Sequence, residues 1–321
     1  SIGQSTDNNN FSNIYVPKCL CLASLHPSIN KFELILREIY RNFEMKKSHF
    51  FDLAIEKLIS QTPKIPRGYK KVYLKISDKT TIDLTETKIN ELSPVGFNLK
   101  ELFSLFKIDK IVDIFKFMLY ELKIIFFSSK ITQITNILMS FLLLLKPFTY
   151  QYRILSVLPK DLYFFLEDEN PCIFGVNELF YNSFFEDNKL QLIRPIVVVD
   201  IDKKDYCLKF GGGNLNAKDF PLMPKHLREK LDKRTEEYKK ASSKKIEETN
   251  EGYQEIFFRF MINLLKDYPK FLKKTFNGDS YKVQDMIDKP GYINSQSSGD
   301  KEFYEKIIYS HMFDEFITKR I

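Results

Sequence analysis

The chain has 321 residues, 44% hydrophobic and 15% aromatic, with 30 Phe and no Trp, which excludes a disordered chain or a disulfide-stapled miniprotein and fits two or three domains with a Phe-rich core. Lys and Arg outnumber Asp and Glu by 49 to 42, but the two signs are interleaved, which argues against a dedicated nucleic-acid surface. Weak affinity for an anionic membrane or an acidic partner stays open.

Cys19, Cys21, Cys172 and Cys207 form no Cys-x-x-Cys pair and fit no common zinc spacing, so a reduced intracellular chain is expected. No secretion signal is read at the start. The longest charge-free apolar run, Ile131 to Leu145, is shorter than the roughly 20 residues of a membrane span, so a soluble protein without a transmembrane segment is expected.

In chain order, residues 1–13 are polar and read as a loop or frayed terminus. Val16 and Cys19 to Ala23 suit a buried strand. Pro27 and Ser28 turn the chain into a helix carrying Ile29, Phe32, Ile35, Leu36, Ile39 and Tyr40 at helical spacing. A second helix, Phe50 to Ile59, stops at the Pro- and Gly-containing break from Thr62 to Gly68. Two alternating stretches then predict a hairpin around Ser77 to Lys79.

From Asn98 to Leu122 the pattern is helical throughout. Lys123 to Ser129 is β-branched and aromatic and reads as a strand, and Ile131 to Leu145 is a helix stopped at Pro147. Short strands follow at Arg153 to Pro159 and Cys172 to Val176, then a strand pair with its turn at Asp202 to Asp205. Strands separated by such helices predict a largely parallel sheet. Gly211 to Gly213 lacks the Lys-Ser or Lys-Thr and the long helix of a phosphate cradle, so it reads as a flexible turn.

Lys225 to Glu251 holds nine basic and seven acidic residues and reads as an exposed helix or a mobile linker. An amphipathic helix follows with Ile256, Phe257, Phe260, Met261, Leu264 and Leu265 inward. Val283 to Asp300 reads as a loop, and Phe303 to Arg320 as one last helix.

No grouping suits catalysis by side chains. His26, His49, His226 and His311 are scattered singly, without a base, an orienting partner or a metal cage. Cys19 and Cys21, two apart on a strand, would share a face and pack in a core rather than hold a metal. Ser128 and Ser129 would touch a ligand or cap the following helix.

Several ordered motifs resemble the DENN family: Phe103 to Lys107, Glu121-x-Lys123-Ile124-x-x-x-Ser128, Pro147-Phe148 before Tyr150-Gln151-Tyr152, Leu158-Pro159, and Pro171-x-x-x-Gly175-Val176. The family's usual triplet is Trp-Gln-His, so tyrosine at position 150 keeps the ring and loses the indole donor. Tyr15 to Tyr40 resembles the end of the upstream, longin-like segment, while Glu255 to Phe276 with Phe303 to Ile317 resembles the downstream helices. The resemblance runs from about Ile14 to Ile321.

It implies an α/β fold: a bilobal module with a longin-like α/β lobe and a second α/β lobe followed by helices. Residues 1–97 would be a partial upstream lobe lacking its early strands, 98–222 the central lobe, 223–252 a charged linker and 253–321 downstream helices packed on the central lobe. It also implies a guanine-nucleotide exchange factor that binds a nucleotide-free or GDP-bound Rab-type small GTPase by its switch regions, in a cleft between the lobes. Exchange breaks no covalent bond, so no catalytic residue, metal or cofactor is expected.

GTPase contacts are expected at Ser128, Ser129 and Lys130 after a strand end, and at Tyr150, Gln151 and Tyr152 before the next strand. Sites in open parallel sheets form at the carboxyl ends of strands, which favours the serine group. The implied setting is the cytoplasm and membrane trafficking, with recruitment to vesicle or endosomal membranes and peripheral membrane contact left open. Alternatives on the same fold are a GTPase activator working in a complex, for which Arg67 is the loop arginine to test, and an effector or scaffold.

Overall fold

In the computed structural model of the chain, residues 19–22, 29–44, 48–60, 73–76, 80–83, 97–179, 181, 194–210, 213–241, 246–273 and 286–320 are described. The chain divides into two compact units, Ser1–Ile89 and Asn90–Ile321.

The first unit contains helices α1 (Ile29–Glu44) and α2 (Ser48–Ser60) and an antiparallel pair, β1 (Tyr73–Lys75) and β2 (Thr81–Asp83). Alternation sends one face of the pair inward: Leu74 lies opposite Ile82, and both are buried with Ile35, Ile39 and Ile76. Phe32, Ile35 and Ile39 recur at helical spacing and make the inner stripe of α1. Tyr40, expected on that stripe, is instead 56% exposed, because it lies one residue beyond the buried Ile39 and so turns away from it. Residues 19–22 form no strand, and the rest of the expected strand lies outside the described residues, as do Arg67 and His26. Cys19 and Cys21 are exposed, not packed, because no sheet holds them against a core.

The second unit is built on a six-stranded sheet of order β4-β5-β3-β6-β7-β8. Its strands are β3 (Lys123–Ser128), β4 (Arg153–Leu155), β5 (Cys172–Asn177), β6 (Ile196–Asp200), β7 (Asp205–Phe210) and β8 (Gly213–Leu215). The four strands β4, β5, β3 and β6 run parallel, and β7 and β8 add antiparallel at the edge. Every residue of β3 is buried, as a central parallel strand covered on both faces requires.

Alternation divides its side chains between two layers. Ile124 and Phe126 join Ile173, Val197 and Val199 under the helices. Ile125 and Phe127 join Phe174, Val176 and Val198 under Leu158 and under Tyr163 and Leu166 of the 3₁₀ turn Lys160–Leu166. Gly175 is required where β4 passes: a Cβ there would lie 2.0 Å from the Ser156 carbonyl oxygen and 2.4 Å from Ile134 Cγ2.

The helical layer departs from the expected pattern in instructive ways. The stretch from Asn98 to Leu122 is two helices, α3 (Leu99–Leu105) and α4 (Ile108–Leu119), broken at Phe106 and Lys107, with Asn98 capping the first by accepting from the Glu101 N–H. Ile131–Leu144 forms α5 as expected. Of the two readings of the charged stretch, the helix is found: α6 (Lys225–Ala241) buries Leu227, Leu231 and Thr235 at successive turns. Arg228 fastens it to α4 through Asp113 at 2.8 Å, and the Tyr206 hydroxyl donates to the same carboxylate.

Helix α7 (Ile246–Leu265) buries Phe257, Phe260, Met261, Leu264 and Leu265, leaving Ile256 half-buried. The Phe103 ring stacks on Tyr253 at 3.7 Å. The expected loop from Val283 to Asp300 contains a short helix, α8 (Lys289–Asn294), capped by Asp288 and anchored by Tyr292, whose hydroxyl donates to the Leu264 carbonyl. The expected last helix is two, α9 (Lys301–Ile308) and α10 (His311–Thr318), because Ser310 leaves the helical conformation and its hydroxyl accepts from the Phe313 N–H. Among the described residues no helix is long and apolar enough to cross a membrane.

Candidate functional site

The carboxyl end of β3 delivers Ser128, Ser129 and Lys130 to the start of α5. Ser128 is fully buried, and its hydroxyl donates to Asp202 Oδ1 at 2.7 Å while accepting from the Lys130 N–H at 3.0 Å. The Ser129 N–H donates to Asp202 Oδ2 at 2.7 Å. Asp202 sits in the β6–β7 turn, where Lys204 takes a left-handed φ of 60°. Partial burial would raise the Asp202 carboxyl, but the Ser129 and Ser128 donors and the Lys130 charge outweigh it and hold the group below its ordinary value.

This arrangement locks the backbone and leaves Ser129 and Lys130 exposed. The neighbouring strand ends contribute apolar surface. Ser128 pairs with Asn177 in register, so the chain after β5 emerges beside Ser129, about 4.8 Å away by strand spacing. Leu179, two residues on, is 80% exposed, Ile131 46% and Val157 37%. The carboxyl ends of β3, β4 and β5 therefore present exposed aliphatic side chains beside one lysine.

Tyr150, Gln151 and Tyr152 lie elsewhere. They precede β4, whose Arg153 pairs with Cys172 at the first position of β5, whereas Ser128 pairs with Asn177 at its last. The five steps from Cys172 to Asn177 separate the two groups by about 16 Å along the strands. The structure thus brings Ser128, Ser129 and Lys130 together and sets the tyrosine triplet at the opposite end of the sheet.

At that amino end Tyr150 is buried, and its hydroxyl has no hydrogen-bond partner among the described residues. Burial pushes its pKa well above the ordinary tyrosine value, with Cys172, Glu121 and Tyr152 adding to the effect. Gln151 is exposed and its amide donates to the Thr149 carbonyl. Tyr152 donates to Glu121 Oε2 at 3.3 Å and is pushed up to about 12 by burial and then by that carboxylate. Its ring also lies 5.4 Å from the imidazole of His311.

Glu121 organises this end. It holds a left-handed φ of 52° and accepts from the backbone N–H groups of His311 at 3.1 Å and Met312 at 2.8 Å. A buried carboxylate at the N-terminus of α10 satisfies two otherwise orphaned amides and sits at the positive end of the helix dipole. Close by, an open cavity of about 200 Å³ is lined by Tyr152, Arg153, Phe165, Asp168, Asn170 and Cys172. The Arg153 guanidinium stacks over Phe165 at 3.9 Å, and buried Lys123 donates to the carbonyls of Leu166 and Asp168.

Among the described residues no group of three or more His, Cys, Asp or Glu could hold a metal ion. His226 and His311 are exposed. Sequence reasoning missed Asp202, Leu179 and the bridging role of Glu121. Asp202 pairs with a serine 74 residues away, a relation that no local pattern carries.

Residues 15–204 match the family model described as the DENN (AEX-3) domain. Over 94% of its length the chain is 23% identical to mouse DENN domain-containing protein 1B, of which it spans 36%. It is likewise 23% identical to human DENN domain-containing protein 2D over 95% of this chain and 61% of that protein. Mouse DENN domain-containing protein 3 is 21% identical over 96% of this chain, which spans 25% of that relative. The chain therefore spans between a quarter and three fifths of the length of these relatives. The family match covers more than half of the chain and takes in the Ser128 to Lys130 and Tyr150 to Tyr152 groups alike: the chain belongs to the DENN domain family.

Proposed function

We propose that this chain is a guanine-nucleotide exchange factor that accelerates GDP release from a Rab-type small GTPase. The observation that carries this reading is the DENN family match over residues 15–204. The carboxyl-end surface of Ser129, Lys130, Ile131 and Leu179 is the contact region we assign to the GTPase, with Val157 at its margin. Ser128 serves that surface from beneath, by holding Asp202 and the amide of Lys130. Tyr150, Gln151 and Tyr152 support the lobe at its other end.

The chemistry asked of such a surface is differential binding. A GTPase that holds nucleotide at picomolar strength gains about 16 kcal/mol from it. An exchange factor weakens that hold by binding the nucleotide-free form more tightly, and the coupling is reciprocal. A preformed interface of about 1,200–2,000 Å² supplies such a difference without any group that makes or breaks a bond. Exposed aliphatic side chains would provide the desolvated centre, and Lys130 would favour an acidic partner and speed encounter. The protein would act in the cytoplasm, in membrane trafficking.

The test is release of a fluorescent GDP analogue from a panel of Rab-type GTPases, with and without the chain. Faster release from one member, together with preferential capture of its nucleotide-free form, supports the reading. Binding to the GTP-loaded form without acceleration replaces it with an effector role.

A further inference from the structure

Cys19 and Cys21 stand apart from the chemistry described so far. Both are exposed, they lie outside any regular element, and their sulfur atoms are 3.6 Å apart. The other two cysteines differ. Cys172 is buried in the sheet with its thiol pushed up to about 12, and partial burial of its sulfur raises the Cys207 thiol on β7. Thiolate is the reactive form, so burial disfavours attack by both, more strongly at Cys172.

We propose that Cys19 and Cys21 are an oxidisable dithiol that a hydroperoxide converts to an intrachain disulfide. In the first step one thiolate of the pair attacks the peroxide O–O bond, forming a sulfenic acid and releasing hydroxide. In the second, the other sulfur displaces the sulfenic hydroxyl as water, so two thiols and one hydrogen peroxide give one disulfide and two waters. Either sulfur can be oxidised first, since the other lies 3.6 Å away and is equally exposed. A sulfur–sulfur bond of about 2.05 Å requires closure by about 1.5 Å, a movement that an irregular exposed segment can make. Proximity favours this ring closure over further oxidation of the sulfenic acid.

The test treats the folded chain with limiting hydrogen peroxide, blocks remaining thiols with an alkylating reagent and analyses tryptic peptides by mass. Cleavage after Lys18 and Lys31 yields a peptide carrying Cys19 and Cys21 without the other cysteines. The expected result is loss of two hydrogens from that peptide, reversed by a dithiol reductant, while Cys172 and Cys207 react roughly tenfold more slowly. In Cys21→Ser the sulfenic acid should persist at Cys19 and be trapped by dimedone. The proposal is overturned if the peptide gains oxygen without losing hydrogens, if Cys207 oxidises at the same dose, or if the bond forms between chains.

Discussion

The two ends of the parallel strands β3, β4 and β5 differ in what their polar groups hold. At the amino end Glu121 is buried and spends its carboxylate on the backbone of α10 and the hydroxyl of Tyr152, so the polar groups there hold the unit together. At the carboxyl end Asp202 and Ser128 fix the backbone, and Ser129, Lys130, Ile131 and Leu179 are left facing solvent. On the proposed reading one sheet separates stability from recognition: substitutions at the amino end should change folding, and those at the carboxyl end should change binding.

The largest effect should come from the strand that joins the two ends. Gly175→Ala places a Cβ 2.0 Å from the Ser156 carbonyl, so β4 must move, and we expect about 3 kcal/mol of destabilisation by urea unfolding. A loss below about 0.5 kcal/mol would mean that β4 yields freely.

Next, Glu121→Ala strips two helix amides and a phenol of their acceptor and should cost about 2–3 kcal/mol. Glu121→Gln keeps an acceptor and should recover about half. Both should release GDP normally once corrected for the folded fraction. Impaired exchange by fully folded Glu121→Gln would break the division between the two ends.

Asp202→Asn should cost about 1 kcal/mol at neutral pH, since it weakens hydrogen bonds to a group near the surface. Its pH dependence has a defined sign. The folded carboxyl titrates below its unfolded value of about 3.9, so its stabilisation is present above that pH and is lost as pH falls through the lower folded value. The gap between wild type and Asp202→Asn should therefore narrow on acidification from about pH 5 to pH 2.5, as read by thermal melts. A constant gap would assign the effect to packing.

The smallest stability effects, within about 0.5 kcal/mol, belong to Lys130→Glu and Leu179→Asp, both exposed. Each should nonetheless slow stimulated GDP release by about tenfold or more, equivalent to about 1.4 kcal/mol at an interface. Unchanged exchange in both would move the binding surface away from this end and leave the family reading standing.

Much of the fold is legible along the chain because local periodicity reports local structure. Ile35 and Ile39 mark the buried side of α1, and the five apolar or small residues Ile124 to Ser128 read as a central strand despite the lysine before them, whose stem is buried and whose ammonium finds carbonyls. Two of the misreadings occur where a cap decides the outcome. Asp288 starts α8 inside a Gly- and Ser-rich stretch, and Ser310 splits an apolar run into α9 and α10. In both cases one side chain satisfies amides that hydrophobic spacing does not register.

The candidate site divides along the same line. Its motif residues could be named from the chain alone, because Ser128 to Lys130 follow a strand and Tyr150 to Tyr152 precede one. Their separation by about 16 Å follows from β3, β5 and β4 running parallel, so that the chain leaves β3 at one end of the sheet and enters β4 at the other, and strand pairing is a property of the folded sheet. The pairing of Ser128 with Asp202, and of Glu121 with the N-terminus of α10, joins residues 74 and 190 apart. Short-range pattern determines which segments are helix or strand, since it depends on neighbours three or four residues away. Only tertiary packing decides which buried polar groups meet, because each must find a partner wherever the core brings one.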